Sequence, residues 1–414
     1  MKISILSDFH FGHGWNTELE EDSFQNAQEA IEKAVNSDVI LIAGDLFNSR
    51  TPSTEVWAKA LRVLSKPLLC NPTGVMITDT IKKTLEDISR RTLLGIPIIA
   101  IHGTHERRGK GQINAIEALE QAGFLVYLHC NGLVLEKDDE RVAIQGMSGV
   151  PERYAKQVLD KWNPQPIEGC YNILMLHQSI EPYVYSPLEP PSLNLSNLPK
   201  GFDLIIDGHI HTHGLRDIDG TTLLMPGSTI VTQLKEEESR TPKGFYQLDV
   251  SERKFTFVEL KRIRRFFFRE IVLDEDKTIG ELVDEEMDSI LTKTFEKKPL
   301  VRIRIVGKKS TMIDRELKEK EKEYRERAIL SFLKRVETPE VMEKLEILKK
   351  MREERISLEE MGMRLLHENL KNMKFKGEFN PTDIFRLLSE GEVERAFNIL
   401  TQEQKTLRYF GDTV

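Results

Sequence analysis

Short apolar runs, each closing on an Asp or a His, pace the first two hundred residues. Residues 3–6, 39–43, 96–101, 173–176 and 204–206 are rich in Ile, Leu and Val and contain no charge. Runs of this length predict strands buried on both faces. Amphipathic stretches at 23–35, 54–64 and 112–122 predict helices between them, the last closed by Gly123 as a C-cap. Beyond Gly208 the pattern turns strand-rich, at 221–225, 244–250 and 254–260. Strands that enter with helices and leave as hairpins predict an α/β fold of two packed sheets, a β-sandwich flanked by helices. A Pro-rich stretch, 182–199, follows His177 and reads as a loop bordering that strand end.

Near residue 265 the rhythm restarts. A strand at 269–273, a helix at 279–294 and a strand at 300–306 make a small α+β module that needs a surface to dock on. From 311 the chain becomes helical and highly charged. Leu317, Tyr324, Ile329 and Phe332 mark one stripe. Thr338 caps a helix with Pro339 at N1, and Val341, Leu345, Leu348 and Met351 follow at helical spacing. Ser357-Leu358-Glu359-Glu360 is a capping box, and Asn380-Pro381 opens a further helix carrying Ile384, Phe385, Leu387 and Leu388. Amphipathic faces with little core between them fit either a self-packed bundle or an arm that docks on a partner. The expected plan is therefore 1–264, 265–310 and 311–414.

The net charge of −8 gives no global basic signal for nucleic acid, although a local patch stays open. Cys70, Cys130 and Cys170 form no CxxC pair and are expected as buried reduced thiols, which suits a cytoplasmic protein. The chain opens directly in a strand, without a signal-peptide pattern, and no apolar stretch approaches membrane-spanning length.

The chemistry gathers at the ends of the five runs: Asp8-Phe9-His10, Gly44-Asp45, Gly103-Thr104-His105-Glu106, His177, and Asp207-Gly208-His209-Ile210-His211. The carboxyl edge is where α/β sheets place their sites. Asp8 and His10 are two apart, so their side chains leave the strand end on one side, as do those of His209 and His211. Carboxylate with imidazole suits Mn²⁺, Fe²⁺ or Zn²⁺, and the two oxygens of Asp45 can bridge two cations. One such pair is a weak signal. Five in succession predict a two-metal site for phosphoester hydrolysis. His105, in a tight turn, is better placed to donate a proton to the phosphate than to ligate. His13, His102, His129, His213 and His367 read as loop or packing residues. Arg107, Arg108 and Lys110 follow the His105 turn, and Asn48, Ser49, Arg50, Thr51 and Ser53 follow Asp45. These residues are candidates for DNA phosphate contacts. Lys261, Arg262, Arg264, Arg265 and Arg269 form a second basic cluster at the module junction, as a DNA contact or a solvated face.

In this order the motifs resemble the calcineurin-like metallophosphoesterase superfamily. Ser7-Asp8-Phe9-His10-Phe11-Gly12, Gly44-Asp45-Leu46-Phe47, and Asp207 to His211 with Pro226-Gly227-Ser228-Thr229 are similar to the Mre-eleven/SbcD nuclease family of DNA double-strand-break repair. The resemblance covers roughly residues 1–310; the tail matches only the family's layout. It implies a metallophosphoesterase domain, a small DNA-capping domain and a helical C-terminal arm. It implies one metal held by Asp8, His10, Asp45 and His211, and a second by Asp45, Thr104, His177 and His209. His105 would be the catalytic histidine, and Mn²⁺ the usual ion. It further implies 3′→5′ exonuclease action on duplex ends, endonuclease action on single strands, and a homodimer through helices of the first domain. The partner would be an ABC ATPase of the Rad-fifty/SbcC type, bound through C-terminal helices, here about 356–405.

Three departures stand out. Thr104 replaces the family's usual Asn, which implies a weaker second metal. Asn48 stands where relatives often carry a His that positions duplex ends, which bears on the exonuclease mode. Residues 69–82 look like an insertion. A phosphodiesterase for small substrates, or a non-catalytic scaffold on a degenerate site, are the alternatives.

Overall fold

The strand at Val39–Ala43 shows how the chain reads into layers. All five of its residues are fully buried, with Val39, Leu41 and Ala43 on one face and Ile40 and Ile42 on the other. The first face meets a second sheet and the other meets helices. At about 1.5–3 kcal/mol per buried large aliphatic side chain, this two-sided burial fixes the strand centrally.

The structure, a computed structural model, describes residues 1–109, 111–184, 192–273, 277–307, 313–335, 362–364, 366, 380–389 and 395–400. One sheet runs in the order β15 (Lys254–Glu259), β14 (Gly244–Asp249), β1 (Lys2–Leu6), β2 (Val39–Ala43), β4 (Ile98–Ile101), β5 (Val126–Tyr127). The other runs β12 (Gly214–Ile218), β13 (Thr221–Met225), β11 (Leu204–Asp207), β8 (Tyr171–Leu176), β7 (Glu140–Met147), β6 (Asn131–Lys137), β3 (Met76–Ile81). A short parallel pair, β9 (Ile180–Glu181) and β10 (Leu193–Asn194), follows β8. Strands β1, β2 and β4 are mutually parallel, as are β8 and β11. Their carboxyl ends therefore share an edge within each sheet.

Helices α1 (Asp22–Ala34), α2 (Thr54–Leu68) and α3 (Ala115–Gln121) cover the outer face of the first sheet through Phe24, Ile31, Val56, Leu64, Ile116 and Leu119. Helix α4 (Glu152–Trp162) covers the second with Ala155, Leu159 and Trp162, and a short α5 (Glu236–Arg240) precedes β14. The expected two-sheet α/β sandwich with flanking helices is the observed architecture. Helix α3 starts at Ala115 rather than 112 because Asn114 Oδ1 accepts from the N–H groups of Ile116 and Glu117, both at 2.9 Å. The pattern predicts no element over 131–162, where the chain forms β6, β7 and α4. The apparent insertion at 69–82 contributes an edge strand, β3, antiparallel to β6.

The second module is a three-stranded parallel sheet of β16 (Phe266–Val272), β17 (Leu300–Val306) and β18 (Ile329–Arg335), with α6 (Ile279–Leu291) and α7 (Ile313–Tyr324). The expected single helical stripe from Leu317 to Phe332 is therefore corrected. Leu317 and Tyr324 lie on α7, whereas Ile329 and Phe332 lie on a strand. Pairing with β17 outweighs the helical spacing, which those two residues satisfy only by coincidence.

Phe266, Phe268 and Leu300 pack against Val231, Leu19 and Ile263 of the first domain. Beside them Arg264, nearly buried, donates to both oxygens of Asp22 at 2.5 and 3.1 Å, to Lys298 O at 2.7 Å and to Glu18 O at 3.0 Å. A buried guanidinium is tolerated when its donors are satisfied in this way. Arg269 pairs with Glu286 at 3.1 Å. These two members of the junction cluster thus serve packing rather than a free basic face.

The helix opened by Asn380-Pro381 is present at Pro381–Ser389, with Asn380 Oδ1 accepting from Thr382 N at 3.0 Å. The helix start at Thr338, the stripe through Met351, the capping box at Ser357, Lys110, His367 and most of 356–405 lie outside the described residues, as does part of the Pro-rich loop. All three cysteines are free and half-exposed, not buried as expected. Among the described residues no helix is long and apolar enough to cross a membrane.

Candidate metal centre

The turns after β1 and β2 lock together before any side chain meets. Asp8 N donates to Gly44 O at 3.0 Å, His10 N to Asp45 O at 3.0 Å, and Phe11 N to Leu46 O at 2.7 Å. Asp8, His10 and Asp45 all take left-handed backbone, with φ of 53°, 48° and 50°. Non-glycine residues rarely hold this conformation, and those that do concentrate at functional sites. Two glycines allow the close approach of neighbouring turns. A Cβ on Gly208 would stand 1.9 Å from Ala43 O, and one on Gly103 would stand 2.1 Å from Asp45 Oδ1.

The side chains expected at the site converge. Asp8 Oδ1 lies 3.6 Å from His10 Nε2 and 3.4 Å from His211 Nε2, and the two Nε2 atoms are 3.3 Å apart. His177 Nε2 stands 3.3 Å from Asp45 Oδ2 without hydrogen-bond alignment. Among the described residues, ligand atoms within 4.8 Å of one another form three groups: Asp8, His10 and His211; His10, Asp45 and His105; Asp8, Asp45 and His177. Asp45 belongs to two of them. His209 falls outside these groups, with its ring 5.4 Å from that of His177. Thr104 Oγ1 donates to Asp45 Oδ2 at 3.4 Å.

These groups fit divalent cations. Among the described residues, both oxygens of Asp8 and Nε2 of His177 are buried without a hydrogen-bond partner, an arrangement that is costly unless something else meets them. Burial pushes His10 down to about 4 and His211 down to about 3, so both imidazoles are neutral and ready to ligate. His177 Nδ1 donates to Ala43 O at 2.7 Å, which turns Nε2 toward Asp45. His211 Nδ1 is 2.8 Å from Thr232 Oγ1. Such outer partners fix tautomer and ring orientation.

His105 is exposed, beside a cavity of about 390 Å³ lined also by His10, Asp45, Asn48, Thr104, His209 and His211. Its Nδ1 donates to Asn48 O at 3.1 Å and its backbone N–H to Asp45 Oδ1 at 2.9 Å. Nε2 is then the nitrogen available to substrate. His13 lines the same cavity. His102 is held by Tyr127 OH at 2.7 Å, and His213 stacks on Phe257 at 3.9 Å.

Other residues position the site without a role assigned to them from the sequence. Glu106 is fully buried and accepts from Phe47 N and Gly103 N, each at 2.7 Å, tying the Asp45 turn to the His105 turn. Burial and the Asp45 charge push its carboxyl up to about 8. Its place directly after His105 was the one available clue. Lys243 and Glu238 gave none. Lys243 Nζ, buried, donates to His211 O at 3.2 Å, Ser228 Oγ at 2.7 Å and Glu238 Oε1 at 2.7 Å. Glu238 also accepts from the N–H groups of Thr232, Gln233 and Leu234. Removing one partner of such a pair strands the other. Lys243→Met is expected to destabilise the fold by about 3–5 kcal/mol and to weaken Mn²⁺ binding about tenfold through His211. Urea unfolding and a Mn²⁺ titration check this; unchanged midpoints in both would contradict it.

Residues 1–213 match the calcineurin-like phosphoesterase family. Double-strand break repair protein mus-23 of Neurospora crassa is 28% identical over 330 residues, covering 71% of this chain and 43% of that protein. Double-strand break repair protein mre-11 of Caenorhabditis elegans is 26% identical over 314 residues, covering 66% and 43%. DNA double-strand break repair protein Mre11 of Sulfolobus acidocaldarius is 27% identical over 329 residues, covering 74% of this chain and 75% of that protein. The chain therefore spans under half the length of the fungal and nematode relatives and most of the archaeal one.

Proposed function

This chain belongs to the calcineurin-like phosphoesterase family, and from that premise we propose that it is a metal-dependent DNA nuclease of double-strand-break repair. The observation that carries the reading is the cluster of buried Asp and His side chains at four strand ends, joined by the exposed His105 from a fifth, with Asp8 oxygens and His177 Nε2 unpartnered among the described residues. Relatives whose names specify double-strand-break repair support DNA as the substrate.

Asp8, His10, Asp45 and His211 would hold one ion, and Asp45, Thr104, His177 and His209 a second, with Asp45 between them. Two divalent ions, Mn²⁺ in the first instance, supply charge neutralisation at the phosphate and an activated water. The chain's own residues do the rest. Neutral His10 and His211 offer lone pairs without first releasing a proton. Asp45 brings the negative charge that holds cations together. His105 presents Nε2 at the cavity, and with Nδ1–H kept on Asn48 O it is the doubly protonated ring that can hand its Nε2 proton to the leaving oxygen. Arg50, Arg107, Arg108 and Lys110 would attract the DNA backbone by charge, and Asn48 would meet it by hydrogen bonding. The second module would cap the DNA. A homodimer, with an ABC ATPase on the C-terminal helices, completes the proposed assembly.

Thr104 carries a testable consequence. A neutral hydroxyl is a poorer ligand for a divalent ion than an amide carbonyl, and this one already donates to Asp45. Thr104→Asn is expected to lower the Mn²⁺ concentration for half-maximal activity about fivefold. Superimposable titration curves would remove Thr104 from the second site.

The function is tested by incubating the purified protein with end-labelled linear duplex and circular single-stranded DNA, in Mn²⁺ or EDTA. Mn²⁺-dependent cutting supports the nuclease and shows which mode persists with Asn48 and Thr104. Turnover of a small aryl phosphodiester with both DNAs intact would favour a small-substrate phosphodiesterase.

A further inference from the structure

Next to the carboxylate–imidazole cluster stands a cluster of the opposite sign. Arg50 lies two residues beyond Asn48, whose carbonyl holds His105 Nδ1, and Arg107 and Arg108 follow His105 by two and three residues. Arg107 Nε donates to Thr104 O at 3.4 Å, and its Nη2 is 3.7 Å from Glu152 Oε1. Among the described residues its buried Nη1 has no hydrogen-bond partner, nor has the buried Nε of Arg108. Burial and the charges of Arg107 and Arg108 push the Arg50 guanidinium down from its ordinary value. Among the described residues, Glu152 is the only carboxylate paired with any of the three.

Three guanidiniums against one distant carboxylate repel one another, and two of their buried N–H groups are unmet. Each condition is unfavourable in the free protein and is relieved by an anion. The anion's charge matters. An internal phosphodiester carries one negative charge. A phosphomonoester carries between one and two, with three strong acceptor oxygens, which matches a surplus of two positive charges.

We propose that Arg50, Arg107 and Arg108 form a subsite for a terminal phosphomonoester of a DNA strand, seated beside the phosphodiester to be cut. This rests on the nuclease reading above and adds end chemistry to it. The enzyme then distinguishes a phosphorylated DNA end from a hydroxyl end, which simple backbone attraction does not do.

The test uses the full chain and one single-stranded oligonucleotide, internally labelled, in three forms: 5′-phosphate, 3′-phosphate, or hydroxyl at both ends. Fluorescence anisotropy in EDTA gives each affinity without turnover, and cleavage is followed in parallel with Mn²⁺. One phosphorylated form is expected to bind about tenfold more tightly than the hydroxyl form, and which one it is sets the strand polarity. Arg50→Gln and Arg108→Gln are each expected to reduce that preference to about twofold or less. Arg50→Lys is expected to retain part of it, because the charge survives without the bidentate fork. Equal affinity of the wild type for all three forms overturns the subsite, as does a preference that survives both Gln variants. DNA cut without end preference leaves the nuclease reading standing. End preference with no Mn²⁺-dependent cutting overturns the nuclease reading and leaves the subsite standing.

Discussion

Asp45→Asn is expected to lower Mn²⁺-dependent phosphodiester hydrolysis by about 10³-fold or more, about 4 kcal/mol of transition-state stabilisation. Asp45 is shared by two of the three candidate ligand groups, so one substitution weakens both metal positions. The nearby imidazoles, His177 foremost, hold its carboxyl well below the usual range against the opposing effect of burial, so it is an anion in the folded protein. Asn keeps the volume and an oxygen able to accept from His105 N, the contact Asp45 Oδ1 makes at 2.9 Å. The loss therefore reports charge rather than unfolding, and an unchanged thermal midpoint should accompany it. Initial rates on single-stranded DNA across a Mn²⁺ series measure the effect. A loss under tenfold at saturating Mn²⁺ would mean that Asp45 does not bridge.

His105→Asn should cost about 10²–10⁴-fold in rate while leaving Mn²⁺ affinity within about twofold. The two readouts separate two roles that the geometry brings close together. His105 belongs to a candidate ligand group with His10 and Asp45, yet its Nε2 is 4.0 Å from Asp45 Oδ2 and its ring is exposed at the cavity. A proton donor needs that exposure, whereas His10 and His211 line the cavity but are themselves buried. If Mn²⁺ affinity fell in step with rate, His105 would be a ligand and the leaving oxygen would need another donor.

What could be read from the amino-acid order divides along physical lines. Strands β1, β2, β4, β8 and β11 are buried on both faces, so their runs contain no charge and announce themselves. The site residues follow those runs directly and inherit their legibility. Strand β18 does not, because Ile329 and Phe332 also fit a helical stripe and only pairing with β17 decides between them. Strand β3 is a largely exposed edge in which Thr78, Asp79 and Thr80 interrupt Met76, Ile77 and Ile81, which leaves little pattern to read. Lys243 and Glu238 bind the back of the His211 turn from positions 32 and 27 residues downstream of it. Single charged residues at such distances carry no spacing signal. Arg264 was visible only as part of a basic cluster, and its buried bond to Asp22 spans 242 residues. The orphaned guanidinium atoms of Arg107 and Arg108 are likewise a property of packing, not of order.

A two-ion centre built on Asp45 is open to direct test with Mn²⁺ itself. Calorimetric titration of the metal-stripped protein, with electron paramagnetic resonance at each step, counts the ions and reports whether they are magnetically coupled. Two ions per chain are expected, the second weaker than the first, with a coupled spectrum at saturation. Asp45→Asn should abolish the coupling. A single uncoupled ion at saturation, or an Asp45→Asn protein that still shows the coupled pair, would mean that Asp45 does not join two ions.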